Sequence, residues 1–385
     1  MKFMGSKRGM LQNGLGQLLD NKVVKAKRFI DLFTGSGAVA SFVSQRLAVP
    51  VVAFDLQLFC VTLAQSVIER VAPLDSTPIW SAWNLRAEKV LKDSRRLRSA
   101  TRPLPHSSKF TQSFVSDMRE ACASVKNFPI TRAYSGYYFS QAQGLWLDGL
   151  RRTLPVNEEE RTVALAALIQ AASGCAASPG HTAQPLQPTR SAKKFIYEAW
   201  SRDIVLKTKI NFESLCKQHA LCKGRGVVRD ANNAIEEINE NDLVFIDPPY
   251  TAVHYSRFYH VLETIAHGEC NDVSGAGRYP PWDERPWSRY SVPSKSRTAI
   301  SELLEKIAEK GATAIVTFPD KLCSNGISSY LLRKLGREYF ERVGERVVRG
   351  KFSTLGGTSD CSRNKEARRA ARQHANELML LLESK

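Results

Sequence analysis

The sequence predicts an α/β fold in which a parallel, Rossmann-like sheet is interrupted by a mostly helical insert. Near the N-terminus, "RFIDLFTGSGAVASFVSQRL" and "VVAFD" place strand-like stretches on either side of a glycine-rich turn and a helix. Much later, "DLVFID" is a third strand-like stretch, and it ends in a carboxylate followed by two prolines. Alternation of strands and helices predicts the sheet, and the helical patterns between these stretches predict the insert.

The N-terminal elements have the order strand, glycine turn, helix, strand. A strand over residues 28–32 leads into "GSGAVA", where Gly35, Gly37 and Ala40 match the spacing of dinucleotide-binding turns. The second strand ends at Asp55, about where a ribose-binding acid belongs, and a helix is predicted over about residues 58–71. This half-unit predicts a nucleotide site, and an NAD enzyme and a methyltransferase are both compatible with it.

The later elements complete the sheet. After the helical stretches of residues 74–222, "GVVRD", "NNAIEEI" and "DLVFID" resume the alternation, and helices are predicted in "RFYHVLETIA" and "RTAISELLEKIAEK". A strand "ATAIVTF", a helix near Tyr330 and the strands "GERVVRGKF" and "NELMLLLE" follow, the last two able to join antiparallel. We expect three parts: a core segment with the cofactor motifs (1–73), a basic insert for target recognition (74–222) and a catalytic core segment (223–385).

The charge of the chain predicts a polyanionic partner. Its 385 residues include 55 Lys and Arg against 38 Asp and Glu, a formal net charge of +17. Basic residues cluster over 86–109, and we expect Arg95, Arg96 and Arg98 in that cluster to bind nucleic acid. A solvated basic face is the alternative.

Several classes of protein are disfavoured by the sequence. No apolar run approaches a membrane span and the N-terminus lacks the apolar region of a signal peptide, so a cytoplasmic protein without a membrane partner is expected. Eight cysteines without a CxxC pair indicate reduced thiols. Cys216, His219 and Cys222 could bring three soft ligands near one helical face, but a fourth is not evident and buried thiols are the preferred interpretation.

The stretch "FIDPPY" separates the two nucleotide-site alternatives. Pro248 and Pro249 end the strand and hold Asp247 and Tyr250 at its carboxyl end, where open α/β sheets bind ligands. Hydride transfer needs no carboxylate beside a stacking aromatic ring, whereas methylation of an exocyclic amine needs an arrangement much like this one. An acceptor carboxylate and a backbone carbonyl can hold the two amine hydrogens, and the tyrosine ring can stack on a base outside the duplex.

Several motifs, in order, resemble the D12 class of adenine-specific DNA methyltransferases, which includes the Dam enzymes. They are "FMGSKRGML", "DLFTGSGAVA", "AFD", "YYFSQAQGLWLDGLRR", "FIDPPYTAVHYSRFYHVLETIA" and "FSTLGG". The resemblance implies a Rossmann-like S-adenosylmethionine-dependent methyltransferase sheet with a helical target-recognition insert. It implies double-stranded DNA as partner and a site-specific methyltransferase, cytoplasmic and of the kind found in restriction-modification systems, for which a cognate restriction endonuclease could exist.

The resemblance also assigns residues. For catalysis it implies Asp247, Pro248, Pro249 and Tyr250, with no metal required. For the cofactor it implies Gly5, Lys7, Asp31, Phe33, Gly35, Gly37, Asp55, Asp230 and Asp247, although Lys7 could be a surface lysine and Asp230 an ordinary strand-end acid. His254, Tyr255 and Arg257 are the DNA-contact candidates beside the arginines of the insert. For His254 and His260, packing at the start of a helix or contact with phosphate is preferred over a role as general base.

The chain departs from the family pattern at two places. The family commonly carries an Asn-containing or Ser-Tyr stretch after the fifth strand, where this chain has "VTFPDK", and a polar run after the catalytic motif, where it has Ala252, Val253 and His254. The predicted reaction is methyl transfer from S-adenosylmethionine to N6 of a flipped adenine. Cytosine N4 or RNA adenine methylation is an alternative, and a non-catalytic nucleic-acid-binding protein is another. The recognition sequence and the oligomeric state, monomer or homodimer, cannot be derived.

Overall fold

A computed structural model describes residues 3–93, 104–353 and 372–384, and within them seven strands form one sheet. The strands are β1 (Arg28–Asp31), β2 (Val51–Asp55), β3 (Arg225–Val228), β4 (Asp242–Ile246), β5 (Thr313–Pro319), β6 (Arg342–Ser353) and β7 (Arg372–Glu383). Their order is β3-β2-β1-β4-β5-β7-β6. Strands β1 to β5 are parallel, and β7 lies antiparallel between β5 and β6. The predicted parallel-dominated sheet with an antiparallel C-terminal pair is confirmed.

Apolar side chains alternate along the strands and fill a core on each face of the sheet. In β1, Phe29 packs into one core and Ile30 into the other, and Leu243 and Val244 divide in the same way along β4. Because both faces are covered, these strands are apolar apart from the charged residues at their ends. The helical segments that cover them, including short turns, are Arg8–Met10, Leu11–Leu15, Gly16–Val23, Ala38–Arg46, Leu58–Ile68, Ala231–Ala234, Ile235–Glu237, Arg289–Ser291, Pro293–Glu309 and Ser329–Tyr339.

The remaining helices belong to a second compact unit. They are Ser76–Asp93, Ser107–Lys109, Gln112–Ala123, Pro129–Tyr134, Gln141–Arg152, Glu158–Cys175, Lys193–Trp200, Ile204–Cys216, Tyr255–His267 and Trp282–Glu284. A separate core of this unit is built around Phe110, Met118, Ile196 and Trp200. Its helices begin at recognisable caps, as at Ser140, whose side chain and that of Gln143 form a reciprocal capping box.

The limits of the two units differ from the expected segments chiefly at Ser256–Pro286. The helical unit comprises Pro73–Gln218 and Ser256–Pro286, and the sheet unit comprises Phe3–Ala72, His219–Tyr255 and Trp287–Lys385. The expected catalytic core segment 223–385 thus includes Ser256–Pro286, which belongs to the helical unit. This segment carries buried residues such as Tyr259 and Leu262, and its backbone bonds to the insert, as where Thr182 N donates to Phe258 O.

Two further sequence interpretations concern helices. The helix before "KQHALC" ends at Cys216, so Cys216, His219 and Cys222 do not share a helical face. Within the described residues no group of His, Cys, Asp or Glu side chains has the arrangement of a metal site. Across the same residues, no helix combines the length and apolar character needed to span a bilayer.

Candidate active site

Three of the predicted acids lie at one edge of the sheet. Asp31 ends β1, Asp55 ends β2, and Asp247 follows the last residue of β4. Strand β1 lies between β2 and β4, so the chain winds away from β1 in opposite directions on its two sides. Ligands of open α/β sheets bind in the crevice at such a switch point.

The glycine turn after β1 is held by Asp55. Gly35 and Gly37 have φ of +51° and +70°, a region that favours glycine, and a Cβ on Gly37 would lie 3.2 Å from Ala64 N. The carboxylate of Asp55 accepts hydrogen bonds from Gly35 N at 2.9 Å and from Gln57 N at 3.0 Å. Asp55 thus fixes the turn as well as facing the edge of the sheet.

Lys7 reaches the carboxylate that follows β4. Its Nζ lies 3.0 Å from Asp247 Oδ1 and also 3.0 Å from Glu377 Oε2, and the Lys7 side chain is only 5% exposed. Burial works against the charged ammonium, but the two carboxylates outweigh it and hold the pKa of Lys7 above its ordinary value. The interpretation of Lys7 as a surface lysine is excluded by this burial.

The two oxygens of Asp247 have different surroundings. Oδ1 contacts Lys7 and accepts a hydrogen bond from Thr317 Oγ1 at 2.9 Å, whereas Oδ2 accepts none from the described residues. Burial raises the pKa of Asp247, the nearby ammonium of Lys7 lowers it, and Glu377 raises it again. One oxygen is therefore anchored and the other is available to a ligand donor.

Asp31 adds a second buried carboxyl to the edge. It is 1% exposed, and burial raises its pKa well above the ordinary value, with smaller upward contributions from Asp247 and Asp55. Phe33 N donates to Asp31 Oδ1 at 3.4 Å, and the Phe33 ring meets Tyr290 edge-on at 5.0 Å between centroids. This cluster of acids creates an electrostatic environment that favours a cationic ligand.

The Asp-Pro-Pro-Tyr turn is supported by a buried asparagine. The Nδ2 of Asn325 donates to Pro249 O at 2.7 Å and to Tyr290 O at 2.9 Å. Asn325 lies beyond β5 and is fully buried. An asparagine therefore does follow the fifth strand, although not within "VTFPDK", where the family pattern made one expected.

The N-terminal arm packs against Tyr250. Gly5 has φ of +74°, and a Cβ there would lie 3.2 Å from the Tyr250 ring. Tyr255 meets Tyr250 edge-on at 6.4 Å, and Phe3 lies 6.2 Å from Tyr255. The predicted residues Gly5, Lys7, Asp247 and Tyr250 are thereby brought together.

Asp230 has a structural role at the end of β3. Its side chain caps the short helix Ala231–Ala234 by accepting from Asn232 N at 2.9 Å. The preceding residue, Arg229, donates its N–H to Asp55 O at 3.0 Å, which keeps the β2 and β3 ends adjacent. A capping role is enough to explain this acid, and its predicted contact with a cofactor stays a prediction.

The predicted DNA-contact residues do not form one cluster among the described residues. Arg95, Arg96 and Arg98 lie outside the described residues. In the sheet unit, His254 is 6.2 Å from the Trp287 ring, and its Nδ1 accepts from Ser288 N at 3.4 Å. His260, in the helical unit, is buried against the carbonyl oxygens of Arg257 and Gly277, and burial lowers its pKa to about 4, so it is a packing residue.

Arg257 belongs to what we call the arginine–tyrosine surface: Arg257, Tyr279, Trp282 and Arg285. The guanidinium carbons of Arg257 and Arg285 lie 5.1 and 5.5 Å from the centre of the Tyr279 ring, and Arg285 also lies 4.9 Å from the Trp282 ring. Within the described part of the chain neither arginine forms an ion pair with a carboxylate. Partial burial and then the charge of Arg257 lower the pKa of Arg285.

Sequence reasoning missed several residues of this site. Glu377, Thr317 and Asn325 contact the Asp-Pro-Pro-Tyr turn or Lys7, and none of them belongs to a motif of the family resemblance. For Glu377 the available signal is a charged residue next to the apolar run "LMLLL". That signal does not indicate which side chain it contacts.

Comparison with known proteins identifies the same family as the sequence motifs. Residues 3–144 and 204–317 match the model of the D12 class N6 adenine-specific DNA methyltransferase family. These ranges include the glycine turn, the Asp-Pro-Pro-Tyr turn and Thr317, but not Glu377.

Curated relatives are modification enzymes. The chain is 26% identical over 320 residues to the type II methyltransferase M.FokI of Planomicrobium okeanokoites and 24% identical over 326 residues to the modification methylase LlaI of Lactococcus lactis subsp. lactis. Each alignment covers 80% of this chain but only 43% and 44% of these relatives, so the chain spans less than half of their length. A shorter match, 32% over 78 residues, covers 20% of the chain and 12% of the modification methylase StsI of Streptococcus sanguinis.

Proposed function

Because this chain belongs to the D12 class of N6 adenine-specific DNA methyltransferases, we propose that it methylates N6 of an adenine held out of duplex DNA, with S-adenosylmethionine as donor. The observation that carries the proposal is the carboxylate of Asp247 at the switch point of the sheet. One of its oxygens is anchored by Lys7 and Thr317, and the other has no donor among the described residues.

Asp247 acts on the target amine. The amino group of adenine is conjugated with its ring and is a poor nucleophile, so Oδ2 would accept one amine hydrogen and turn the nitrogen lone pair towards the methyl group. Transfer forms one nitrogen–carbon bond and breaks one carbon–sulfur bond, whose electron pair stays on sulfur. The amine then loses one proton to solvent or to a neighbouring carboxylate.

The glycine turn and the acids of the edge would hold the cofactor. S-adenosylmethionine would supply an electrophilic methyl group on a sulfonium cation, and the buried carboxyl of Asp31 would face that positive charge. Gly35 and Gly37 leave no side chain above the strand ends, and the carboxylate of Asp55, at the carboxyl end of β2, would accept hydrogen bonds from ribose hydroxyls.

The two prolines and Tyr250 would form the platform for the target base. Pro248 and Pro249 restrict the backbone, and Asn325 holds the carbonyl oxygen of Pro249. Tyr250 is packed against Gly5 and Tyr255, so its ring has a restricted orientation and would offer a preformed surface on which an extruded base could stack.

The helical unit would bind the DNA. Its arginine–tyrosine surface carries two guanidinium groups without carboxylate partners in the described residues, which is the chemistry that binds phosphate. The net charge of +17 supports the same partner. The expected role of Arg95, Arg96 and Arg98 stays a prediction, as does a cognate restriction endonuclease.

The proposal is tested by incubating the protein with S-adenosylmethionine and a plasmid, followed by mass analysis of the released nucleosides and sequencing that reports modified positions. We expect N6-methyladenine within one short sequence and none with Asp247→Ala. N4-methylcytosine, or methylation of RNA alone, would overturn the choice of substrate.

DNA and cofactor binding without any methylated product, across DNA of diverse sequence, would instead support a non-catalytic binding protein. The control is Asp320→Ala, a change at another carboxylate near the end of β5, whose partner is Arg333 at 3.0 Å. The methylated product and the methylation rate of this variant should equal those of the wild-type protein.

A further inference from the structure

Glu377 is a carboxylate in the antiparallel strand β7, opposite Pro319 of β5 and Val348 of β6. The residues that follow it along the strand are apolar and buried, including Leu378, Met379 and Leu380. The side chain is 23% exposed, and its Oε2 lies 3.0 Å from Lys7 Nζ. A charged group in this position needs a partner, and Lys7 supplies it.

Lys7 connects Glu377 to Asp247. Its ammonium lies 3.0 Å from one oxygen of each carboxylate, so the two acids hold it from separate positions. A lysine side chain has four rotatable bonds and a large rotamer entropy, so a single carboxylate would restrict it less than two do. Glu377 therefore limits where the charge of Lys7 can lie.

The position of this charge decides what Asp247 can do. Lys7 and Thr317 both contact Oδ1, which fixes the rotation of the carboxylate and leaves Oδ2 for a donor. The charged and titratable groups that face Asp247 are Lys7, Glu377, Asp31 and Tyr250. Among them Lys7 is the group that offsets the burial of Asp247.

We propose that Glu377 is a positioning residue for methyl transfer: it holds Lys7 against Oδ1 of Asp247, so that Asp247 stays ionised and presents Oδ2 to the target amine. This inference rests on the proposed function. Glu377 touches neither substrate nor cofactor in this proposal, and the bonds made and broken are those of the methyl transfer itself.

The two effects of Glu377 on Asp247 have opposite signs, which makes the proposal testable. As a nearby negative charge Glu377 raises the pKa of Asp247, whereas by holding Lys7 in place it keeps that pKa down. Asp247 is a much stronger acceptor for the amine hydrogen when it is ionised, so the rate rises with pH through its pKa. We call this rise of the rate with pH the acid limb. If Glu377 mainly holds Lys7 in place, its removal raises the pKa of Asp247 and moves the acid limb to higher pH. If Glu377 acts only as a nearby negative charge, its removal lowers that pKa and moves the acid limb to lower pH.

The experiment measures the single-turnover rate of Glu377→Gln between about pH 5 and pH 9, with saturating S-adenosylmethionine and cognate DNA. We expect the plateau rate to fall roughly ten- to a hundredfold, as for a reacting group displaced by about 1 Å, and the acid limb to move to higher pH. Affinities for cofactor and DNA should be nearly unchanged. The double variant Lys7→Met, Glu377→Gln should be no slower than Lys7→Met alone.

Glu383→Gln is the matched control. Glu383 lies on the same face of β7, six residues further on, and pairs with Lys22 at 2.7 Å. It should keep the wild-type rate and pH profile, while thermal denaturation of all variants tests folding. An unchanged rate in Glu377→Gln, or an acid limb moved to lower pH, would overturn the inference.

Failure of the inference differs from failure of the proposed function. If the unmodified protein methylates adenine but Glu377→Gln behaves as wild type, Glu377 has no positioning role. If the unmodified protein methylates nothing, the proposed function fails, and the pH profile cannot be recorded for any variant.

Discussion

Asp247 and Asp55 are both carboxylates at strand ends, but their hydrogen-bond and charge partners differ. Asp247 contacts a side-chain cation and keeps one oxygen without a donor among the described residues. The carboxylate of Asp55 accepts hydrogen bonds from Gly35 N in the glycine turn and from Gln57 N in its own turn. The first arrangement suits a group that acts on a substrate, and the second suits a group that also maintains a binding site.

Replacing Asp247 with Asn should lower the single-turnover methylation rate by about a hundredfold or more, because an amide is a weaker acceptor than a carboxylate. Cofactor affinity should change little, since the affected hydrogen bond is made with the amine. Rapid quench and calorimetric titration measure the two quantities. A variant that keeps more than about a tenth of the rate would remove Asp247 from the catalytic role.

Asp55→Ala should weaken cofactor binding by roughly 1.5–3 kcal/mol, since the ribose hydroxyls lose a charged acceptor. The structure adds a second effect: Gly35 N and Gln57 N lose their acceptor, which should lower the free energy of unfolding by about 1–3 kcal/mol. Calorimetry and urea denaturation separate these losses. Asp20→Ala, at a partly exposed ion pair with Arg46, is the control, and unchanged cofactor affinity in Asp55→Ala would contradict the ribose assignment.

At the scale of elements, the Asp-Pro-Pro-Tyr turn depends on a loop that is distant in sequence. Asn325 lies in the connection between β5 and the helix Ser329–Tyr339, and it donates to carbonyl oxygens of two other segments. In the same connection, Ser324 Oγ accepts a hydrogen bond from Ala252 N at 3.1 Å. The turn that would bind the base is therefore held from outside its own motif.

Asn325→Ala should lower the free energy of unfolding by about 1–3 kcal/mol, because two carbonyl oxygens lose a buried donor. The methylation rate should fall as well, since the turn loses a constraint, while cofactor affinity should hold. Denaturation in urea and single-turnover kinetics check these outcomes. Asn13→Ala removes an exposed hydrogen bond from the side-chain amide to Arg349 O and should lower the free energy of unfolding much less. Equal losses of stability in the two variants would show that Asn325 has no special role.

At the scale of the whole molecule, the excess of positive charge predicts that DNA affinity depends steeply on salt. Binding that neutralises at least four phosphates would fall on the order of a hundredfold between 50 and 200 mM salt, because each neutralised phosphate releases counterions. S-adenosylmethionine affinity, measured over the same series, should change far less. Fluorescence anisotropy of a labelled duplex measures the dependence.

Removing Arg257 and Arg285 together should reduce the slope of log affinity against log salt by up to about two, nearly one for each phosphate that is no longer neutralised. Lys209→Ala, at an exposed pair with Glu213 in the same unit, should leave the slope almost unchanged. If the double variant keeps the wild-type slope, DNA is held by other cations of the chain, with Arg95, Arg96 and Arg98 the first to be tested.

Several features could be predicted from the sequence because they depend on neighbouring residues. Gly35 and Gly37 are required where the backbone turns with positive φ, and Pro248 and Pro249 end β4 because they cannot donate to the ladder. The antiparallel C-terminal strands were predicted from their apolar patterns. Helix ends were less accurate: the helix expected to reach residue 71 ends at Ile68, before a run that includes Pro73.

The sequence by itself therefore determined the sheet, the glycine turn and the Asp-Pro-Pro-Tyr turn, since each follows from local backbone rules or from an ordered set of motifs. Only the tertiary structure decided that Glu377 holds Lys7 across 370 residues of chain, that Asn325 supports Pro249, and that Ser256–Pro286 packs with the helical insert. The physical reason is that an ion pair or a buried hydrogen bond requires proximity in space, and the chain folds back through a sheet whose strand order differs from its sequence order.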